Sequence, residues 1–256
     1  MSLMRGIKRI YRAVRGDEKA RYQLADKITQ VVCPRYKFTE FGRAYLYDRD
    51  FLDIYERIEG TRNYHSLDRK YALRGLLQLA TNVPGATAEC GVFRGGSSWL
   101  ICQHFAGTGR KHYLFDSFEG VSTPGSHDGS WWTRGNLAMP EEVARKNLAD
   151  FPAESLVFMK GWIPDRFPEV EDQTFSFVHI DVDLYEPTRD SIEFFYPRLS
   201  PGGVLLCDDD GSINCPGAKK AMDEFFADKP ESIVRLPTGQ SFVVRQAAHS
   251  SSAKAA

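Results

Sequence analysis

Two apolar, strand-forming runs of this chain stop on carboxylates. FSFVHI (175–180) leads into Asp181 and, one residue further, Asp183; GGVLLC (202–207) leads into Asp208, Asp209 and Asp210. Two further runs do the same on a smaller scale, ATAEC (86–90) carrying Glu89 and KHYLFDSF (111–118) carrying Asp116. If these runs are neighbouring parallel strands, their carboxyl ends surround one crevice. Carboxylates a few Å apart at a low effective dielectric repel by kcal/mol amounts. Protonation, separation around a polyol ligand or a bound hard cation would relieve that. The oxygen donors of Asp181, Asp208 and Asp209 suit a divalent cation such as Mg²⁺. The competing reading is a set of solvated turn carboxylates that cap the following helices.

The turn after the first of these runs has its own chemistry. TAECGVFRGGSSWLI (87–101) has the spacing E-x-G-x-x-x-G-x-S, formed by Glu89, Gly91, Gly95 and Ser97. Glycines there let the backbone turn tightly and approach a ligand, and a helix N-terminus offers free N–H groups to an anion. The spacing departs from the G-x-G-x-x-G of dinucleotide binders, which argues against an NAD dehydrogenase. Asp116 follows Glu89 by 27 residues and closes the next strand, where a carboxylate can accept from ribose hydroxyls. Together these features predict a nucleoside-bearing cofactor.

Positioning these residues requires a regular alternation, and the chain supplies it. Strands are expected at 86–90, 111–118, 155–161, 175–181 and 202–209, and helices at 97–106, 140–151, 187–199 and 216–228. Pro140 is expected at the first helical position. A hairpin, SIVRLP–TG–QSFVVR (232–245), closes the pattern. Alternating strands and helices mean a mostly parallel sheet covered on both faces, with an antiparallel C-terminal edge. Ahead of it, Ser66 is placed as the N-cap of a helix over 67–82. Residues 5–21 carry seven basic and two acidic side chains, with Ile7, Ile10, Tyr11 and Val14 at helical spacing. This segment is expected to form one amphipathic helix, docked on the body or on a second subunit, with an anionic membrane surface as the alternative. The organisation expected is a helical extension over 1–65, an α/β domain over 66–246 and a disordered tail over 247–256.

The stretch GVSTPGSHDGSWWTRGNLAMP (120–140) is long, glycine-rich and without periodicity, as functional loops are. It is expected to act as a lid, with Trp131 and Trp132 stacking on a substrate, or to be a mobile surface loop. His127 is expected to be solvated. Trp162 is placed either beside a purine or in the core. A net charge of −1 leaves no global basic field for nucleic acid. No apolar stretch approaches the ~20 residues of a membrane span. Five scattered cysteines without a C-x-x-C pair suit buried, reduced thiols in a cytoplasmic protein.

ECGVFRGGSS, FDSFEG, HIDVDLYEPTRD, LCDDD and CPGAKKAMDEF occur in order and together resemble the macrocin O-methyltransferase (TylF-type) family over roughly residues 60–245. The resemblance implies a Rossmann-like class I methyltransferase fold with a mostly parallel seven-stranded sheet. It also implies S-adenosylmethionine as cofactor with Mg²⁺, a small-molecule glycosyl acceptor, and a homodimer or higher homo-oligomer. It places Glu89, Gly91, Gly95 and Ser97 at the methionine end of the cofactor, Asp116 on the ribose, and Ser117 and Phe118 near the adenosine. Asp181, Asp208 and Asp209 match the metal ligands, Asp181 being also the candidate general base. Tyr185 is placed against the next helix or, second, on the substrate. Two departures stand out. Leu184 occupies the position where small catechol-type methyltransferases carry a lysine, and Asp210 stands where the family has an aromatic residue. A third acid there is expected to alter the metal shell or the substrate's fit. A metal-independent methyltransferase and a degenerate cofactor-binding partner subunit remain the alternatives.

Overall fold

The computed structural model describes residues 2–38, 43–59 and 67–247. The chain divides into two compact units, Met1–Leu52 and Asp53–Ala256. The expected boundary at 65–66, the Ser66 cap and the tail from 248 onward lie outside the described residues.

In the first unit the expected single helix over 5–21 is two. α1 (Ser2–Val14) and α2 (Glu18–Val32) are separated at Arg15–Asp17. Asp17 is the reason: its side chain accepts from the Ala20 N–H (2.9 Å) and caps α2, so the chain restarts instead of continuing. Arg21 Nε ties the pair by donating to the Ala13 carbonyl (2.9 Å). Ile7, Ile10, Tyr11 and Val14 are all exposed. α3 (Arg49–Glu59) spans the boundary between the two units.

The second unit carries the α/β alternation. After α4 (Leu67–Leu76) come β1 (Ala86–Cys90), α5 (Gly96–His104), β2 (His112–Asp116), α6 (Glu141–Asn147) and β3 (Leu156–Lys160). β4 (Phe175–Ile180), α7 (Tyr185–Phe195), β5 (Leu199–Cys207), α8 (Pro216–Phe226), β6 (Val234–Arg235) and β7 (Ser241–Val244) complete it. The seven strands form one sheet in the order β3-β2-β1-β4-β5-β7-β6. β1 to β5 are parallel, and β7 and β6 add antiparallel at the edge. β4 is buried at every position, as a strand covered on both faces must be. Phe115, Phe167, Phe195 and β4's own Phe175 pack edge to face, with ring centroids 5.0–5.7 Å apart. Pro140 sits just ahead of α6, with ψ 136° outside helical space, not at its first helical position.

The order places the reversal of the chain between β1 and β4. From β1 it winds outward to β3, then returns to the other side of β1. The loops leaving β1 and β4 therefore meet. The Asp181 N–H donates to the Cys90 carbonyl (2.8 Å), and Gly91 lies directly against Asp181. Gly91 has φ +87°, and a Cβ there would fall 1.8 Å from the Asp181 carbonyl oxygen. Only glycine fits, on grounds of both conformation and space. Gly91→Ala is expected to cost about 2 kcal/mol or more of stability. Urea unfolding of the variant beside wild type would measure it, and an unchanged midpoint would show that the two loops part freely.

Candidate active site

At the carboxyl ends of β1, β2, β4 and β5 lies a cavity of about 700 Å³. Gly91, Asp116, Ser117 and Trp162 line it on the β1–β3 side, and Asp181, Asp183, Asp209 and Arg69 on the β4–β5 side. Trp131 and Trp132 line it from the loop between β2 and α6. Of the residues singled out from sequence, Gly91, Asp116, Ser117, Trp131, Trp132, Asp181 and Asp209 thus come together. Glu89, Gly95, Ser97, Phe118, Asp208 and Tyr185 stand outside the cavity wall.

Asp116 shapes the turn after β1. Its Oδ2 accepts from the N–H groups of Val92 (2.8 Å) and Phe93 (2.9 Å), and its Oδ1 from Phe118 (2.7 Å). Phe93 and Phe118 both have positive φ, +50° and +58°, so this carboxylate holds two strained turns at once. Burial pushes its pKa above the usual carboxylate range, against the pull of those three N–H groups. A carboxylate offers about four lone-pair sites, so with three occupied roughly one is left.

Beneath the cavity runs a buried chain of charges. Glu89 Oε1 meets His179 Nδ1 at 2.8 Å, and His179 Nε2 meets Asp208 Oδ1 at 3.3 Å. Burial favours a neutral imidazole, but the bonds to Asp208 and Glu89 outweigh it and push His179 up to about 10. His179 is therefore a cation at neutral pH, donating from both nitrogens. Glu89 loses by burial as well, yet His179 holds its carboxyl below the ordinary range. Its other oxygen accepts from the Ser98 hydroxyl, and Ser97 is buried against Lys70 Nζ. Asp208 further accepts from Gln240 Nε2 (2.6 Å) and from Arg69 (2.9 Å), whose Nε donates to the Thr238 carbonyl (3.1 Å). None of His179, Arg69 or Gln240 figured among the residues expected from sequence. A histidine in the apolar run FSFVHI was the single available sign.

The third acid of the triplet has a separate fate. Asp210 is 1% exposed and receives Arg235 on both oxygens, Nε at 2.7 Å and a terminal nitrogen at 3.1 Å. It lies off the cavity wall, where a bidentate arginine holds it.

These positions decide what a cation would find. The potential ligand atoms of His179, Asp181 and Asp208 lie within 4.8 Å of one another, as do those of Asp183, Asp209 and Cys215. His179 is committed to Glu89, and burial raises the Cys215 thiol far above neutrality, so neither offers a soft or nitrogen ligand. What remains is hard oxygen in two pairs, Asp181 with Asp208 and Asp183 with Asp209, a donor chemistry that suits a divalent cation of the Mg²⁺ type, although Asp208 already has both oxygens engaged by His179, Gln240 and Arg69 and lies off the cavity wall. Asp183, at φ +61°, steadies Asp209 by donating its N–H to Oδ2 (3.1 Å).

The loop carries its aromatics in two ways. Trp131 is 62% exposed, whereas Trp132 Nε1 donates to Cys215 Sγ (3.3 Å). His127 packs edge-on against Tyr185, whose hydroxyl donates to Glu224 (2.7 Å), away from the cavity. Trp162 is on the cavity wall. All five cysteines are free, and Cys33 is exposed, not buried as expected.

Two measurements follow from these placements. Asp210→Asn should lower the melting temperature while leaving ligand affinity in the cavity unchanged. A loss of affinity measured by calorimetry would put Asp210 back in the site. His112, bonded to Thr87 (2.9 Å) and Ser98 (3.2 Å), is pushed down to about 4 by burial and stays neutral. Its folded pKa lies below its unfolded value, so the stability it contributes is present above about 6.5 and is lost as pH falls toward about 4, worth about 3 kcal/mol in full. Denaturant midpoints of wild type and His112→Gln from pH 7.5 to 4.5 should converge toward the acid end.

A family model described as Macrocin-O-methyltransferase (TylF) matches residues 66–232. Demethyldecarbamoylnovobiocin O-methyltransferase of Streptomyces niveus is 34% identical over 162 residues, 58% of this chain and 61% of that protein. The 8-demethyl-8-(2,3-dimethoxy-alpha-L-rhamnosyl)-tetracenomycin-C 4'-O-methyltransferase of Streptomyces olivaceus is 34% identical over 176 residues, 64% of this chain and 66% of that protein. The chain thus spans less than two thirds of the length of these relatives. Among solved structures, the O-methyltransferase NovP superposes with a TM-score of 0.60 at 28% identity, covering 76% of this chain and 88% of that one. The calicheamicin methyltransferase CalS11 gives 0.63 at 20% identity, covering 80% and 86%, a likeness of fold.

Proposed function

The chain belongs to the macrocin O-methyltransferase (TylF) family, and from that premise we propose that it transfers a methyl group from S-adenosylmethionine to a hydroxyl of a sugar or glycosylated small molecule, with the help of Mg²⁺. The observation that carries this reading is the meeting of the Gly91 turn with Asp181 and Asp209 in one cavity, at the point where the sheet reverses. The rhamnosyl group in the name of the Streptomyces olivaceus relative favours a sugar hydroxyl as acceptor. Free cysteines suit the cytoplasm.

In this reading the cofactor's methionine end lies along Gly91, its ribose on the remaining lone pair of Asp116, and its base beside Ser117 and Trp162. Glu89, Gly95 and Ser97 act from behind this surface: Glu89 through His179, Gly95 as the residue that opens α5, and Ser97 against Lys70. The cofactor supplies a methyl group already activated on sulfonium. Asp181, Asp208 and Asp209 would hold a divalent cation, which lowers the pKa of an oxygen bound to it. Asp181 takes the acceptor's proton as attack begins. His179 and Arg69 keep Asp208 ionised and oriented, while Trp131 and Trp132 exclude water and align the acceptor.

Asp181→Asn is expected to abolish turnover and to leave S-adenosylhomocysteine affinity within a few fold. Melting curves with S-adenosylhomocysteine, with and without Mg²⁺, test the ligand reading before any acceptor is known. At ~100 times its dissociation constant the ligand should add about 2.7 kcal/mol. No shift in folded protein would favour a degenerate partner subunit. One observation supports a second reading, a metal-independent methyltransferase: Arg69 and His179 already neutralise Asp208. Turnover that survives EDTA would select it.

A further inference from the structure

We propose that Asp128 is a positioning residue, a helix cap delivered from the lid loop that latches Trp131 and Trp132 over the cavity and ties the lid to the strand end bearing Asp181. α7 begins at Tyr185, and Leu184 before it offers no capping side chain. The cap comes instead from 57 residues away: the Tyr185 N–H donates to Asp128 Oδ1 at 2.6 Å. The other oxygen of the same carboxylate accepts from the Gly125 N–H (2.7 Å), inside the loop. Asp128 is 1% exposed although it belongs to a loop without regular structure. A carboxylate at a helix N-terminus is favoured by the free N–H groups and the helix dipole, the more so when water is excluded.

The surroundings are shaped for this contact. Gly217, in the first turn of α8, lies against it, and a Cβ there would fall 2.1 Å from Asp128 Oδ1. Gly129 packs on Pro216, and Trp132 reaches Cys215, so the loop tip is wedged between the starts of α7 and α8. Those helices follow the strand ends carrying Asp181 and Asp209. The base of the loop is closed separately, by Val121 N–H to the Asn136 carbonyl (2.7 Å) and Gly135 N–H to the Val121 carbonyl (2.9 Å). Breaking the latch therefore frees the tip and its tryptophans while the Ser117–Val121 wall stays in place. That the latched aromatics face an acceptor rests on the methyl-transfer reading; the latch does not.

The test compares full-length wild type with Asp128→Ala, Asp128→Asn and Gly217→Ala. Trp131 lies in the loop tip, ahead of the closed base, and reports it through chymotryptic cleavage. Cleavage after Trp131 is expected to quicken at least tenfold in Asp128→Ala and Gly217→Ala, and acrylamide quenching of tryptophan fluorescence to rise with it. The double variant should add little to either. Asp128→Asn should fall between, because its amide oxygen can still accept from Tyr185 while the bond from Gly125 is lost. S-adenosylhomocysteine affinity should stay within about threefold in Asp128→Ala, as a merely unfolded site would not allow. Wild-type rates of Trp131 cleavage and quenching in Asp128→Ala and Gly217→Ala alike would overturn the latch, as would loosening of the asparagine variant equal to that of alanine. If wild type itself binds no S-adenosylhomocysteine, the methyl-transfer reading fails while the cleavage comparison still decides the latch.

Discussion

The structure turns on the crowding of negative charge at the carboxyl ends of four adjacent strands. A parallel sheet brings Glu89, Asp116, Asp181, Asp208 and Asp209 to one edge, and Coulomb repulsion there would be large if all were left bare. Each carboxylate meets its own answer. Asp116 is wrapped in backbone N–H groups, Glu89 and Asp208 share the buried His179 cation, Asp208 also takes Arg69, and Asp210 is removed to Arg235. Asp181 and Asp209 are the acids of the two Asp-rich strand ends that line the cavity with Asp183 beside them.

This sorting joins fold to chemistry. A buried charge pair is weak evidence of stability, because desolvation offsets its attraction. Its use here is to hold particular oxygens in particular directions. Glu89 and Asp208 share one imidazolium across the reversal between β1 and β4, so the turn on one side of the cavity and the acids on the other are registered through a single side chain. Gly91 pressed against the Asp181 carbonyl registers the same two loops through the backbone. The lid adds a third tie, Asp128 on the first turn of α7.

Much of this was legible along the chain. The strand over 86–90 and the starts of β4 and α8 fall where the periodicity places them, because strands buried on both faces need continuous apolar runs. Helix ends were less legible. The segment 5–21 reads as one amphipathic stripe, yet Asp17 caps a second helix, and a local cap outcompetes a periodicity that continues past it. Pro140 was placed one residue too far inside α6 for a similar reason, since its fixed φ serves the approach to a helix as well as its first position.

The amino-acid sequence by itself determined the α/β class, the glycine turn after β1, and which strands would end on acids, for these depend on neighbours in the chain. Only the tertiary structure decided which acids face the cavity. Arg69 reaches Asp208 across 139 residues and Gln240 across 32, and Arg235 claims Asp210 across 25. Three consecutive aspartates look alike in a sequence. They differ in the fold because each points into a different electrostatic environment, and the cations that make those environments arrive from elements far away along the chain.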